Sequence, residues 1–210
     1  VSTLNANLDL NIEEYVTVNF DAVVDAVDAL GGIRMEVTSD EVKYINGYID
    51  ENNKVTGHNS SHITTAGTYN LDGVQALAYS RIRYTSGGDY KRTERMRDVL
   101  EAMLKKAKTL SVSQLVNFVN IMLPKISTNI SSTDIIGLAP TLMNINISES
   151  NGWPEKTQGS MIGGVYYGVP VNLEDNVEKL HEELFDQTDY SCTEKVKDIS
   201  NQIITKTGIQ

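Results

Sequence analysis

The sequence predicts an α/β fold, and three consecutive observations carry that prediction. Tyr15-Val-Thr-Val-Asn-Phe20 alternates and is rich in β-formers, the pattern of a strand. Asp21 then caps a helical pattern with apolar positions at Val23, Val24, Ala26, Val27 and Leu30, and Gly31-Gly32 stops it. Ile33 to Val37 reads as a second strand. A strand–helix–strand unit of this length suggests a crossover connection within a sheet. With 210 residues, 40% of them hydrophobic, the chain can bury one real core and is too short for two large domains.

The remaining elements follow in order. Ser39 to Gly67 is polar and rich in Asn, Gly and Ser, so a long surface excursion is expected there. Asp72-Gly-Val-Gln75 has the form of a capping box and opens a helix running to about Ile82. Tyr84 to Gly88 is a loop ending Gly-Gly, and Asp89 can cap the next helix, which reaches about Lys108. Ser111 or Ser113 opens another helix that ends near Pro124, and Ser132 or Thr133 opens one from Asp134 to about Met143. Met161 to Val171 is expected as a strand ending at Pro170, and Leu173 to Phe185 as an amphipathic helix. Gln187 to Gln210 is a polar tail with a weak helical pattern from Val196 to Ile204. No internal repeat or low-complexity segment is present.

Charge and composition exclude several classes. A formal net charge of −10 argues against nucleic acid or a broad anionic membrane surface as partner, since both need a basic field. No apolar run approaches the ~18 residues that span a bilayer. Residues 1–11 are mostly polar and lack the apolar segment of a signal peptide, and the chain has no initiator Met, so it is expected to begin inside a longer protein. The single cysteine, Cys192, forms no internal disulfide and supports no zinc site. His58, His62 and His181 are scattered and have no ligand-like spacing.

The informative stretch is Leu71 to Leu100, LDGVQALAYSRIRYTSGGDYKRTERMRDVL. It holds Arg81, Arg83, Lys91, Arg92, Arg95 and Arg97, a third of the 18 Lys and Arg residues of an otherwise acidic chain. Val74, Leu77 and Ala78 form a helical stripe whose next position is Arg81. On the following helix Met96, Val99, Leu100, Met103 and Ala107 form the stripe, and one turn before Met96 lies Arg92. Arg95 and Arg97 fall roughly 100° to either side of that line. Two arginines therefore intrude on apolar faces, at the end of one helix and the start of the next. A buried guanidinium keeps its charge and needs an anion. With Asp89 nearby, the arrangement describes a pocket for phosphate or pyrophosphate, whose geometry suits arginine's planar fork. The same pattern also fits structural pairing: Arg81 and Arg92 with carboxylates at the core edge, Asp89 as a plain helix cap, and Arg95 and Arg97 as solvated residues beside Glu94 or Glu101.

The string Leu-Asp-Gly-x-x-Ala-Leu-Ala-Tyr-x-Arg-x-Arg-Tyr, followed by Gly-Asp-x-x-Arg-x-x-Arg, resembles the arginine-rich signature of the LytR–CpsA–Psr family. Tyr15-Val-x-Val-Asn-Phe20 and Val27-Asp-Ala-Leu-Gly-Gly-Ile33 upstream, and Gly164-Val-Tyr-Tyr-x-Val-Pro170 downstream, resemble further family segments in the right order. The resemblance implies a central mixed β-sheet flanked by helices, with the N-terminal strands absent from this chain. Residues 1–187 would be the family domain without its N-terminal part, and 188–210 the polar tail. It also implies a phosphotransferase on the outer face of the cytoplasmic membrane of a bacterium of Gram-positive type. Such an enzyme moves a glycosyl phosphate from a polyprenyl-pyrophosphate-linked glycopolymer, of the teichoic acid or capsular polysaccharide class, to a muramic-acid hydroxyl of peptidoglycan. Arg81, Arg83 and Arg92 would hold the pyrophosphate in the catalytic centre, with Arg95 nearby, and Asp89 would help bind magnesium. A membrane anchor would lie in the missing N-terminal part.

Two departures from the family pattern stand out. Met96 occupies the position where the family usually has Gln, four residues after Arg92. The family's early Arg-Ser-Asp-like and Pro-Arg-Asp-like motifs, which supply most of the magnesium-binding acids and a further arginine, do not appear. These departures keep a second reading open, a cell-envelope domain that binds a polyprenyl phosphate or glycan without turnover. A third reading, a transcription regulator, is opposed by the net charge and by the lack of a helix-turn-helix.

Overall fold

The computed structural model describes residues 1–138, 140–147 and 150–210. In chain order its elements are α1 (Ser2–Leu8), β1 (Val16–Thr17), α2 (Phe20–Ala29), β2 (Ile33–Val37), α3 (Ser39–Thr56), β3 (Gly67–Leu71), α4 (Gly73–Arg81), α5 (Gly88–Ala107) and α6 (Val112–Met122). After a 3-10 turn at Leu123–Lys125 come β4 (Ser127–Thr128) and α7 (Ser132–Leu138). A second 3-10 turn at Thr141–Asn144 is followed by β5 (Thr157–Ile162), β6 (Val165–Pro170), α8 (Leu173–Phe185) and α9 (Glu194–Thr207). The chain forms two compact units: Val16–Ser150, and Val1–Tyr15 together with Asn151–Gln210.

The expected mixture of helices and strands is present, but its pairing differs from a crossover. Among the described residues the sheets are three antiparallel pairs, β1 with β4, β2 with β3 and β5 with β6. Each strand thus has one hydrogen-bonded neighbour, and β1 and β2 are not partners. Strand β1 is also shorter than the Tyr15–Phe20 pattern suggested. Asn19 accepts from the Ala22 N–H at 2.8 Å and starts α2 at Phe20, so Asn19 rather than Asp21 is the cap. Gly31 and Gly32 end this helix with φ of +78° and +85°, a conformation that glycine adopts without the steric cost of a Cβ.

The larger departure is the segment 39–67. Eighteen of its residues form α3, where a surface loop was expected. The Thr38 side chain accepts from the Glu41 N–H while the Glu41 carboxylate accepts from the Thr38 N–H at 2.9 Å, a complete capping box. Gly47 and the asparagines lower helix propensity, Gly by about 1 kcal/mol. Against that, Ile45 and Ile49 lie one turn apart and are fully buried, each contributing about 1.5–3 kcal/mol. Packing outweighs propensity, and only residues 57–66 remain irregular.

These elements build the main core of the Val16–Ser150 unit. Val24, Val27, Ile33, Val37, Ile45, Ile49, Leu71, Val74, Leu77, Ile82 and Val99 pack together there. Helix α4 lies against both α2 and α3. Its approach to α2 is set by Gly73, where an added Cβ would fall 2.2 Å from the Val24 carbonyl oxygen. The Gly73 N–H donates to Asp28 Oδ1 at 2.7 Å and ties the two helices at the same point. Helix α6 opens at Ser111, which caps it with Gln114, and ends before Pro124 as expected. Helix α7 is described to Leu138; the expected continuation crosses residue 139, outside the described residues.

The second unit gathers α1, the β5–β6 hairpin, α8 and α9. The stretch Met161–Val171, expected as one strand, turns at Gly163-Gly164, where φ is +59° and +82°. Residues 188–210, expected as a polar tail, carry the 14-residue helix α9. Its Val196 is buried with Leu173, Val177 and Cys192. Asp9 fastens the N-terminal segment to this cluster, accepting from the Tyr190 hydroxyl at 2.9 Å and from the Thr193 N–H at 2.7 Å. Burial pushes the Asp9 carboxyl up, but the Thr193 and Tyr190 hydrogen bonds and nearby His181 outweigh it and hold the group below its ordinary range.

Candidate functional site

The joint between α4 and α5 creates the site. Helix α4 ends at Arg81, and Ile82 takes an extended conformation with φ −60° and ψ 124°. Side chains alternate along extended backbone, so a fully buried Ile82 leaves Arg83 on the opposite side. Gly87 and Gly88, at φ +97° and +52°, then reverse the chain into α5. Gly87 caps α5 without a side-chain hydrogen bond, and Asp89 lies in the first turn rather than at the cap. An acid in that turn still complements the helix dipole.

Arg81, Arg83 and Arg92 line one cavity of about 680 Å³. Its remaining wall is largely apolar: Val18, Phe20, Val23, Leu77, Met96, Leu100, Met103 and Met122 take part, with Tyr48 and Tyr84 beside the arginines. The three guanidinium groups differ in their engagement. Arg81 stands 5.2 Å from the centroids of both the Phe20 and Tyr48 rings, bonds Asn52 Oδ1, and pairs with Glu51 at 3.1 Å. Arg83 and Arg92 share Asp89, whose Oδ1 lies 3.4 Å from Arg83 Nε and 3.5 Å from Arg92 Nη1. The Asp89 side chain is 69% exposed, so this pairing is screened by solvent and weak. Arg92 Nε is buried and has no hydrogen-bond partner. A buried donor left unsatisfied costs about 1–3 kcal/mol, which an incoming acceptor recovers.

Arg95, expected near the same anion, is placed elsewhere. Its side chain is 2% exposed and lines a separate polar cavity with Glu36, Thr38, Glu41 and Tyr79. Arg95 Nε donates to Glu41 Oε1 at 2.8 Å, Nη1 to the Ile82 carbonyl at 3.1 Å, and Nη2 to Thr85 Oγ1 at 2.7 Å. Burial pushes the Glu41 carboxyl up, but the Thr38 hydrogen bonds and the Arg95 guanidinium outweigh it and hold the group below its ordinary value. Burial raises the Tyr79 hydroxyl beside them, with Glu41 and Asp98 adding to the rise. Met96 and Leu100, read as core from their spacing, are 51% and 63% exposed and form part of the cavity wall.

Sequence reasoning missed the residues that hold Arg81, namely Glu51, Asn52 and Tyr48, because their segment was read as a loop. The signal was there: Thr38-Ser-Asp-Glu41 is a capping-box string ahead of Val42, Ile45 and Ile49. For magnesium the residues fit poorly. Two carboxylates stand against the arginines, Asp89 with Arg83 and Arg92 and Glu51 with Arg81, and among the described residues no group of three acidic, His or Cys side chains is placed to hold a metal ion. Magnesium also takes waters and substrate oxygens, so Asp89 alone is a contribution and not a site.

The family model for LytR_cpsA_psr matches residues 1–185. The chain belongs to the LytR_cpsA_psr family. Biofilm regulatory protein A of Streptococcus mutans is 31% identical over 183 residues, 83% of this chain and 41% of that protein. The polyisoprenyl-teichoic acid–peptidoglycan teichoic acid transferase TagT of Bacillus subtilis is 34% identical over 151 residues, 71% of this chain and 44% of that protein. A solved structure of TagT bound to LIIa-WTA superimposes with a TM-score of 0.60 at 26% identity, covering 100% of this chain and 67% of that one. This LytR_cpsA_psr chain therefore spans less than half the length of these two curated relatives. Among its described residues no helix is long and apolar enough to cross a membrane.

Proposed function

We propose that this chain supplies the lipid-pyrophosphate site of a phosphotransferase that joins a glycopolymer to peptidoglycan. The observation that carries the reading is a single cavity lined both by Arg81, Arg83 and Arg92 and by the apolar Val18, Phe20, Val23, Leu100, Met103 and Met122. That mixed lining suits a ligand with a charged phosphate head and a hydrocarbon tail. A muramic-acid hydroxyl oxygen would attack the phosphorus that bears the glycan. The bond from that phosphorus to the bridging oxygen would break, polyprenyl phosphate would leave, and the hydroxyl proton would pass to a base. Arginine forks neutralise and orient the phosphate oxygens throughout, which is most of what phosphoryl transfer requires.

The teichoic acid transferase names of the relatives support a teichoic acid class of donor and a peptidoglycan acceptor, and the setting we propose is the outer face of a bacterial cytoplasmic membrane. Asp89 is proposed as one magnesium ligand; the described residues do not complete a site for the ion. Transfer from a synthetic polyprenyl-pyrophosphate glycan to peptidoglycan, measured with the full-length protein, tests the reading. Transfer by the wild type that collapses in Arg92→Ala is expected. Tight binding of the donor without turnover would instead make this a binding domain. Absence of both would overturn the assignment.

A further inference from the structure

We infer that the buried Glu41–Arg95 pair is a positioning device for the anion site: from inside the core, Arg95 holds the 82–85 loop that presents Arg83 to the cavity. The inference rests on the reading of that cavity as an anion site. It goes beyond that reading by assigning a task to two residues that do not line the cavity.

The geometry is specific. Arg95 sits on α5, one turn after Arg92, on the face turned away from the cavity. Its three donors reach three different segments: Glu41 at the start of α3, the Ile82 carbonyl at the end of α4, and the Thr85 hydroxyl within the loop. The Ile82 carbonyl belongs to the residue between Arg81 and Arg83, and Thr85 follows Tyr84, another cavity residue. One planar fork thus fixes both sides of Arg83. The loop's other ties are the Ile82 N–H to Tyr79 carbonyl bond at 3.3 Å, the Gly88 N–H to Thr85 carbonyl bond at 3.2 Å, the Tyr84 ring against Tyr44 and the exposed Arg83–Asp89 pair, and none of them holds Ile82 and Thr85 to the interior together.

Glu41 is the anchor of this device. Its Oε2 accepts from both the Thr38 N–H and the Thr38 hydroxyl at 2.9 Å, and its Oε1 accepts from Arg95. Both carboxylate oxygens are committed, so the pair has one orientation. A lysine could keep the charge pairing with Glu41 but has no fork to reach Ile82 and Thr85 at the same time. A buried ion pair of this kind often adds little net stability over an apolar substitute. Its structural return here is the fixed separation between Arg83, on the loop, and Arg92, on the helix that carries Arg95.

The test is the affinity of the full-length protein for inorganic pyrophosphate, measured by calorimetry on folded variants. Arg95→Lys, Thr85→Val and Thr85→Ser are compared with wild type. Arg95→Lys is expected to melt cooperatively and to bind about tenfold more weakly. Thr85→Val is expected to weaken binding about threefold, and Thr85→Ser, which keeps the hydroxyl, to restore it. Should Arg95→Lys fail to fold, the two Thr85 variants carry the test alone. Wild-type affinity in Thr85→Val, or in a folded Arg95→Lys, would overturn the inference while leaving the anion site intact. A wild-type protein that binds no pyrophosphate would overturn the reading of the site, and this inference with it.

Discussion

One turn of α5 separates Arg92 from Arg95, and the two guanidinium groups have opposite surroundings. Arg95 is enclosed and saturated, with a carboxylate, a carbonyl and a hydroxyl on its fork. Arg92 has a buried Nε without a partner and a single long contact to an exposed carboxylate. In a folded protein nearly every buried polar group is satisfied, and the incomplete one here is the group we propose to meet a ligand. On the proposed function the contrast separates a group that builds the fold from one that meets the anion, although both belong to the same short arginine-rich string.

The strongest way to break this contrast is to remove the partner of the saturated arginine. Glu41→Gln leaves the Arg95 charge buried without an anion and should lower unfolding free energy by about 3 kcal/mol or more. Denaturant unfolding checks it; a loss below about 1 kcal/mol would mean the pair is not the anchor described. Arg92→Ala should behave in the opposite way. Its stability should stay within about 1 kcal/mol of wild type, while kcat/KM for transfer falls about 100-fold, the usual cost of deleting a preorganised group that stabilises developing charge. Undiminished turnover by Arg92→Ala would remove the arginine from the chemistry.

A smaller effect is expected from pH. The folded Glu41 carboxyl lies below its ordinary value of 4.5. The stability it supplies is therefore complete above that value and is lost as pH falls through the lower, folded one. Melting temperature should drop more steeply below about pH 4.5 in the wild type than in Glu41→Gln. Parallel curves for the two would show that the titration belongs to another group.

The smallest effect sharpens the role of Asp89. Asp89→Asn removes a first-turn acid worth about 0.3–1 kcal/mol, so melting should barely move. Without magnesium the variant should bind pyrophosphate more tightly, since the carboxylate that engages Arg83 and Arg92 is gone. With limiting magnesium, transfer should fall and partly recover when the ion is raised. Unchanged transfer at limiting magnesium would confine Asp89 to pairing with the two arginines.

Much of the fold was legible because local rules and packing agreed. Strand Ile33–Val37 and helix Leu173–Phe185 form with the expected bounds, and the Asp72–Gln75 capping box starts α4 where it should. Helix α3 was missed because its Asn and Gly content lowers propensity, while Ile45 and Ile49 decide the matter through contacts distant in sequence. The site shows a subtler effect. Met96, Leu100 and Met103 have the spacing of a buried stripe, and spacing cannot distinguish a wall facing other side chains from a wall facing an open cavity. Arg92 was correctly aligned with that stripe, and for the same reason Arg95 was assigned to its flank when it occupies the true interior. Strand pairing was not legible at all, since β1 finds its partner at β4, more than 100 residues along the chain.

Gly73 has a consequence for how such a cleft can change. Helix α4 touches α2 at its first residue and delivers Arg81 at its last, about 12 Å away at 1.5 Å per residue. The helix acts as a lever whose fulcrum admits no methyl group. A substitution at Gly73 would move the far end along with the near one, and the arginine would swing out of register with Glu51 and Asn52. The cleft is thus open to gradual variation along its apolar wall, where Met96 and Leu100 are free to change size. At its charged end it is guarded by a position that has no smaller or larger alternative to try.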